Sequence, residues 1–317
     1  MTDHPIHHSP LHGLRSSERL ARRDVLGLSL ERLSALAGDA SSYRAFIRVT
    51  SGKKRAVTEP LGDLLAVHDR LYDLLDRIEK PDYLHSGVRG RSHVTNASAH
   101  LGDKATVKLD IRQFYPSIDV PRVSRFFGRQ MACSAPVTDL LTRLCTFRGH
   151  VPIGSRMSQH LAYFAARPML EDLRRLSERQ GVVFTCYVDD LSFSGTAATP
   201  SFLWQVKRLV HHHRFGYHNG CCYRAGESRI ITGVVVTGEK LAVLREQAER
   251  IRQDVRDMDK LTVDNQRRAL QRMIGRTAAA ASIDLEYRKV MKQLVARRAR
   301  LKSAPPSPCM VRPFDEV

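Results

Sequence analysis

Two aspartates stand side by side in FTCYVDDLSFSG (184–195), Asp189 and Asp190, between two runs of strand-forming residues. Adjacent carboxylates repel each other and add nothing to packing, so a turn that presents both invites a chemical explanation. A third acid, Asp110, closes the alternating run TVKLDI (106–111) and is followed by a turn. Nucleotidyl transfer can use two divalent ions about 3.5–4 Å apart, one activating the attacking oxygen and one holding the leaving group. Magnesium takes hard oxygen ligands, a few carboxylates with substrate phosphates and water. A hairpin tip with two carboxylates, facing a strand end with a third, can build that clamp. Taken alone, Asp-Asp is an ordinary solvated turn, because aspartate is common in turns.

The elements that must position these acids follow from periodicity. TVKLDI reads as a short strand, and GVVFTCYVDDLSFSG as strand, turn and strand. MSQHLAYFAARPMLEDLRRLSERQG (157–181) is a long helix stopped by Gly181, and FLWQVKRLVHHHRFG is another. Leu20, Val25, Leu26, Leu30, Leu33, Leu36 and Ala37 recur every three to four positions, predicting one or two helices between Ser16 and Arg48. RAFIRVTSGKKRAVTEP (44–60) reads as a hairpin turning at SGKK, and 61–80 as a helix that Pro81 ends. A helix opened by Pro121 follows TVKLDI, and SRIITGVVVTG (228–238) is a buried strand pair. From Glu239 the pattern is helical with no convincing strand, in two stretches, 239–260 and 264–302. Across 239–303 there are 17 Lys/Arg against 9 Asp/Glu. The expected organisation is a loose tail over 1–14, an α+β body over 15–238, a basic helical segment over 239–303 and a Pro-broken tail over 304–317.

Composition bounds the class. The chain of 317 residues carries 51 Lys+Arg against 33 Asp+Glu, a formal charge of +18, which is a footprint for phosphate backbones. Its 42% hydrophobic content is enough for a packed core. Six cysteines, at 133, 145, 186, 221, 222 and 309, show no C-x-x-C pair, the usage of a reducing cytosol. No apolar h-region or membrane-length run is present, so a soluble, cytoplasmic protein without membrane attachment is expected.

Y-V-D-D in a hairpin with Asp110 in an upstream strand–turn resembles the palm of a reverse transcriptase, and further motifs fall in that family's order. GVRGRSHVTNASAH (87–100) resembles the segment leading into the palm. It includes the N-A-x-x-H signature of bacterial retron reverse transcriptases at Asn96, Ala97 and His100. VPIGSRMSQ (151–159) is similar to the P-Q-G-x-x-x-S-P loop, and Ile231-Thr232-Gly233 to the retron V-T-G motif. The resemblance runs from about Leu20 to Gly238. It implies a right-hand polymerase with fingers, an antiparallel-sheet palm with helices, and a helical thumb from 239–303.

The resemblance also implies roles. Asp110, Asp189 and Asp190 would be catalytic and hold two Mg²⁺, with the Ile111 carbonyl as a further ligand. Tyr115 occupies the steric-gate position that favours dNTPs, or is a core tyrosine beside Phe114. Arg89 and Arg91 stand where residues reach an incoming triphosphate, and either is equally readable as a solvated loop charge. Gly154 would let backbone approach the nucleotide, and Ser158 would hold that loop. Asn96, His100, Thr232 and Gly233 are marked by the retron motifs, the first two without a chemical reason visible in the sequence. The implied reaction is RNA-templated DNA synthesis on a dedicated structured non-coding RNA. Priming from a guanosine 2′-OH would give branched RNA–DNA (msDNA), within antiphage defence alongside an effector protein, with a host RNase H removing RNA.

Three departures stand out. The loop reads P-I-G for P-Q-G and S-Q for S-P, and Cys222 stands near an expected lysine in RFGYHNGCCYRAGES, a segment resembling G-[aromatic]-x-x-N. Two alternatives remain at this point. One is another bacterial reverse transcriptase, of group II intron, diversity-generating or abortive-infection type; the other is a non-catalytic RNA-binding protein on the same fold. HHHRFGYHNGCC (211–222) lacks the spacing of a zinc site, and its histidines fit a helix C-terminus. No G-x-S-x-G or phosphate-loop pattern is present.

Overall fold

Alternation in TVKLDI sends Val107 and Leu109 to one side and Lys108 and Asp110 to the other, and this strand lies within the main sheet of the molecule. The computed structural model describes residues 9–50, 53–218 and 220–303. Two short helices, α1 (Ser17–Ala21) and α2 (Leu30–Leu36), are each capped by a serine. They lead into a hairpin of β1 (Tyr43–Thr50) and β2 (Lys53–Pro60). Helices α3 (Gly62–Asp76) and α4 (His93–Ser98) precede β3 (Thr106–Asp110). After it come α5 (Phe114–Ser117), α6 (Val120–Arg125) running into a π-helical turn, α7 (Ala135–Cys145) and α8 (Ser158–Arg179). The acid-bearing hairpin is β4 (Val183–Tyr187) and β5 (Asp190–Ser194), followed by α9 (Pro200–His212) and β6 (Cys221–Tyr223). A second sheet comprises β7 (Arg229–Ile231), β8 (Val234–Thr237) and β9 (Lys240–Val243). Helices α10 (Arg245–Asp257), α11 (Val263–Ala281) and α12 (Tyr287–Ser303) complete the described chain.

The main sheet is antiparallel in the order β4-β5-β3-β6. Its Val107/Leu109 face is buried against α8 and α9 in one large core that includes Leu161, Phe164, Leu173 and Val206. Gly181, at φ +63 just beyond α8, ends that helix in the left-handed conformation glycine tolerates. A second cluster of Ala97, Ile231, Val234 and Val236 joins α4 to the β7–β9 sheet. A third, around Met258, Leu270, Met273 and Leu294, holds the C-terminal helices together.

Several expectations are corrected. The tail expected to reach residue 14 is packed from Ser9 onward: Leu11 and Leu14 enter the main core, and the Ser9 hydroxyl bonds the Leu74 carbonyl. Residues 1–8 and 304–317, including Cys309, lie outside the described residues, as do the turn pair Ser51-Gly52 and Asn219. The helices expected over 16–48 are brief, because Gly27 at φ +74 and the Ser29 cap break the apolar period and Tyr43 begins a strand. Helix α7 lies where no element was expected. Strand β9 falls in the region expected to hold none; Gly238, at φ +53, turns the chain so that Lys240–Val243 pairs back on β8. The stretch 264–302 is two helices, divided after Ala281.

Candidate active site

Pairing brings the acids together. In the β3–β5 register Asp110 lies directly opposite Asp190, and Asp189 occupies the turn before β5. The turn is strained at Val188, whose φ of +59 is rare for a β-branched residue. It is held by neighbours: the Val188 N–H donates to Ser86 Oγ at 2.9 Å, and the Ile111 N–H donates to the Asp189 carbonyl at 2.8 Å. Ile111 thus locks the end of β3 to the acid-bearing turn.

The electrostatics are unfavourable for the free carboxylates. Burial, then the Asp110 charge, push the Asp189 carboxyl up from its ordinary range. Asp190 is also raised, chiefly by burial, against the lowering effect of Lys108. Lys108 Nζ stands 3.4 Å from Asp190 Oδ2, and His218 Nε2 stands 3.8 Å from Asp110 Oδ1. Asp190 Oδ1 is buried with no hydrogen-bond partner among the described residues. Among the described residues, no group of three or more His, Cys, Asp or Glu side chains is arranged to hold a metal ion by itself. An ion here would complete its shell from water and substrate, as magnesium does. Hard oxygen donors, mutual repulsion and an orphaned carboxylate oxygen fit a divalent cation.

The other expected residues divide. The Tyr115 phenol is half-buried and pushed up to about 12 by burial and then by Asp189, so its ring stands beside the acids; Phe114 behind it enters the core. Arg91 is occupied elsewhere, donating to the Pro81 and Leu84 carbonyls and, at 2.9 Å, to Asp82. It staples the 81–91 loop and is corrected from triphosphate ligand to structural residue. Arg89 is exposed on that loop. Gly154, at φ +129, serves a packing purpose: an added Cβ would lie 2.7 Å from Val57 Cγ1 and 2.8 Å from the Thr58 carbonyl. The P-I-G loop therefore presses on β2, with the Thr58 N–H donating to the Ile153 carbonyl at 2.5 Å. The Ser158 hydroxyl holds the loop by donating to the Pro152 carbonyl at 2.7 Å. Cys222 sits on edge strand β6 opposite Val107.

The retron-motif residues acquire a physical role. His100, fully buried, is hydrogen-bonded at 2.7 Å through one ring nitrogen to Ser194 Oγ on β5 and through the other to Thr185 Oγ1 on β4. Burial drops its pKa to about 3, so it is neutral and bolts the segment after α4 to the acid-bearing hairpin. The Thr232 hydroxyl donates to the His93 carbonyl at 2.8 Å, and its backbone N–H lies near enough to Asp190 to favour the carboxylate. Thr232 and Gly233 form the β7–β8 turn at φ +46 and +79, conformations that glycine accepts and threonine resists. Asn96 is fully buried, and its amide has no hydrogen-bond partner among the described residues; we have no physical account of it.

Three residues that the sequence reading did not single out belong to the site. Lys108 was findable, since it is two residues before Asp110 on one strand face. Arg55, exposed on β2, is within electrostatic reach of Asp189, a proximity set by how the β1–β2 hairpin is placed. His218 depends equally on tertiary placement.

No family model matches the chain. Among curated proteins it is 30% identical over 193 residues to Retron Se72 reverse transcriptase of Salmonella heidelberg, covering 59% of this chain and 51% of that protein. It is 30% identical over 262 residues to Retron Mx162 reverse transcriptase of Myxococcus xanthus (70% and 53%). With Retron Ec86 reverse transcriptase of Escherichia coli it shares 24% identity over 238 residues (71% and 73%). The chain spans about half the length of the first two relatives. A solved foamy viral protease-reverse transcriptase in complex with double-stranded DNA aligns with 82% of this chain and 42% of its own, at 12% identity and a TM-score of 0.49. No helix among the described residues is long and apolar enough to cross a membrane. Over most of its length, then, the chain is similar in sequence to retron reverse transcriptases, at 24–30% identity.

Proposed function

We propose that the protein is an RNA-directed DNA polymerase of the retron kind. It would copy a cognate structured non-coding RNA, primed from a guanosine 2′-OH, into branched RNA–DNA. The observation that carries this reading is the β3–β5 register, which sets Asp110 against Asp190 beside Asp189 while leaving Asp190 Oδ1 without a partner. On this reading the β1–β2 hairpin belongs to the fingers, the four-stranded sheet is the palm and α10–α12 form the thumb. Asp110, Asp189, Asp190 and the Ile111 carbonyl would hold two Mg²⁺, which when bound supply activation of the primer hydroxyl and stabilisation of the leaving pyrophosphate.

The chain's own groups do the remainder. Arg55 projects positive charge toward the acids from the hairpin and suits the triphosphate of a dNTP, with Arg89 as a further candidate. The Tyr115 ring excludes a ribose 2′-OH. Lys108 partly neutralises Asp190 and stays on the face that Asp110 uses. Ser86 and Ile111 fix the strained turn, and the Thr232 N–H and the His100 bolt orient the carboxylates, so the site is preorganised before substrate arrives. Arginines on α10–α12 would bind the backbone of the template–product duplex. An effector protein and a host RNase H complete the proposed setting, in antiphage defence.

The test is to express the protein with its flanking non-coding DNA and extract nucleic acid, beside an Asp189→Ala/Asp190→Ala variant. Short DNA joined to RNA until a debranching enzyme acts, and absent from the variant, is the expected result. Extension of a supplied primer on RNA without branched product would place the protein in another reverse transcriptase lineage. Absence of both would leave an RNA-binding protein.

A further inference from the structure

Helix α9 is amphipathic in an unusual way. Phe202, Leu203, Val206 and Val210 are buried against the sheet and α8. The opposite face carries Trp204, the chain's one tryptophan, 57% exposed. The Arg208 guanidinium lies over its indole ring at 4.7 Å. A tryptophan turned outward exposes the largest side chain to water, and with Arg208 over one face of the ring, stacking would use the exposed remainder.

Arg208 continues from that ring into a concavity of about 380 Å³ between α8 and α9, which Arg179 and His212 also line. His212 lines a second concavity as well, of about 370 Å³, with Arg125 and Arg214 on its walls. The two share His212 as a wall and are taken together as a track. Among the residues lining either concavity Asp119 is the one acid, and its carboxylate accepts from Arg122 at 3.0 Å. The Arg122 side chain is spent internally, on the His213 and Arg214 carbonyls and the Phe215 ring. Arg125, Arg179, Arg208 and Arg214 are exposed.

The track is separate from the carboxylate site. α9 covers the Val107/Leu109 face of β3, whereas Lys108 and Asp110 point from the other face. A strand lying in the track would leave the carboxylate face open.

We propose that this track, with Trp204 at one end, is a second nucleic-acid site that binds an unpaired RNA segment: one base stacks on Trp204, and the exposed arginines meet successive phosphates. Exposed aromatic faces bordered by arginine suit single strands, whose bases are free to stack. The site does not depend on polymerisation and is testable apart from it.

Because Trp204 is the chain's one tryptophan, its emission reports from this surface alone. The experiment titrates the full chain with a short oligouridylate RNA. Saturable quenching is expected, with affinity falling as salt rises at a slope of about −2.8 in log–log form for four neutralised phosphates. Arg179→Gln/Arg208→Gln is expected to reduce that slope to about −1.4. Trp204→Ala, read by anisotropy of a labelled oligouridylate, should weaken binding about tenfold, with Trp204→Phe retaining most of it. Circular dichroism confirms that each variant is folded. Unchanged emission on titration, or a slope indifferent to the arginine pair, overturns the proposal. A saturable change in Trp204 emission with polyglutamate but not with RNA also overturns it, in favour of an acidic protein partner. Primer extension measured separately distinguishes failure of this site from failure of the polymerase reading.

Discussion

Acid should unfold this protein through its buried histidines. His68, His100 and His160 are almost fully buried. Burial lowers them to about 4, 3 and 4 respectively. In the unfolded chain each returns to about 6.5. Between these values the unfolded state binds more protons, so stability is fully present above pH 6.5 and is lost as pH falls toward 4. At pH 5 an imidazole free to protonate favours the unfolded state by about 2 kcal/mol, or about 6 kcal/mol for three. That is comparable to the whole stability of an ordinary domain, about 5–15 kcal/mol. His85 and His93 are also lowered by burial and act in the same direction. Asp189 and Asp190, raised in the fold, act oppositely as they protonate, so the comparison belongs in an Asp189→Asn/Asp190→Asn background. The assay is urea unfolding at pH 7.5 and pH 5.0 at fixed ionic strength. His100→Gln in the same background should reduce the acid-induced loss by about a third, whatever it costs at neutral pH. A loss below about 2 kcal/mol, or one that His100→Gln leaves unchanged, would refute the reasoning.

Four further outcomes are expected. Asp189→Asn should raise the melting midpoint in chelator, because burial and the Asp110 charge disfavour its carboxylate, while DNA synthesis falls by about three orders of magnitude; a lower midpoint would contradict this. Arg55→Ala should raise the KM for dNTP about tenfold with little change in folding, whereas Arg91→Ala should destabilise the chain and leave that KM alone; steady-state kinetics beside melting curves separate them. Gly154→Ala, forced 2.7 Å from Val57 Cγ1, should cost about 1–3 kcal/mol in urea unfolding. Tyr115→Val should reduce discrimination against ribonucleotides about tenfold or more, read as the ratio of kcat/KM for dNTP and rNTP.

Local periodicity made the carboxylate site legible. Alternation puts Asp110 at a strand end, and the apolar runs around Asp189-Asp190 make a hairpin, so the sequence alone brings the acids together. What the sequence did not disclose depended on distant neighbours. Arg91 looks like any loop arginine until its guanidinium is seen on the Pro81 and Leu84 carbonyls. Gly154 signals a close approach without saying to what, and β2 supplies the answer. The burial of Leu11 was masked by its His- and Pro-rich surroundings. β9 is four residues of weak alternation that only β8 makes a strand.

The arrangement also dictates when the site can come into being. Asp110 pairs with Asp190, eighty positions later, and Thr232, which braces Asp190, follows by another forty-two. At a synthesis rate of about 5–20 residues per second, Asp110 precedes Asp190 by roughly 4–16 s. During that interval α3 can settle from local contacts, but β3 lacks both its strand neighbours, β5 and β6. The repelling carboxylates are thus kept apart in time until most of the fold that restrains them has been made. Their pairing, which burial and mutual repulsion disfavour, falls late, when the buried core can offset it.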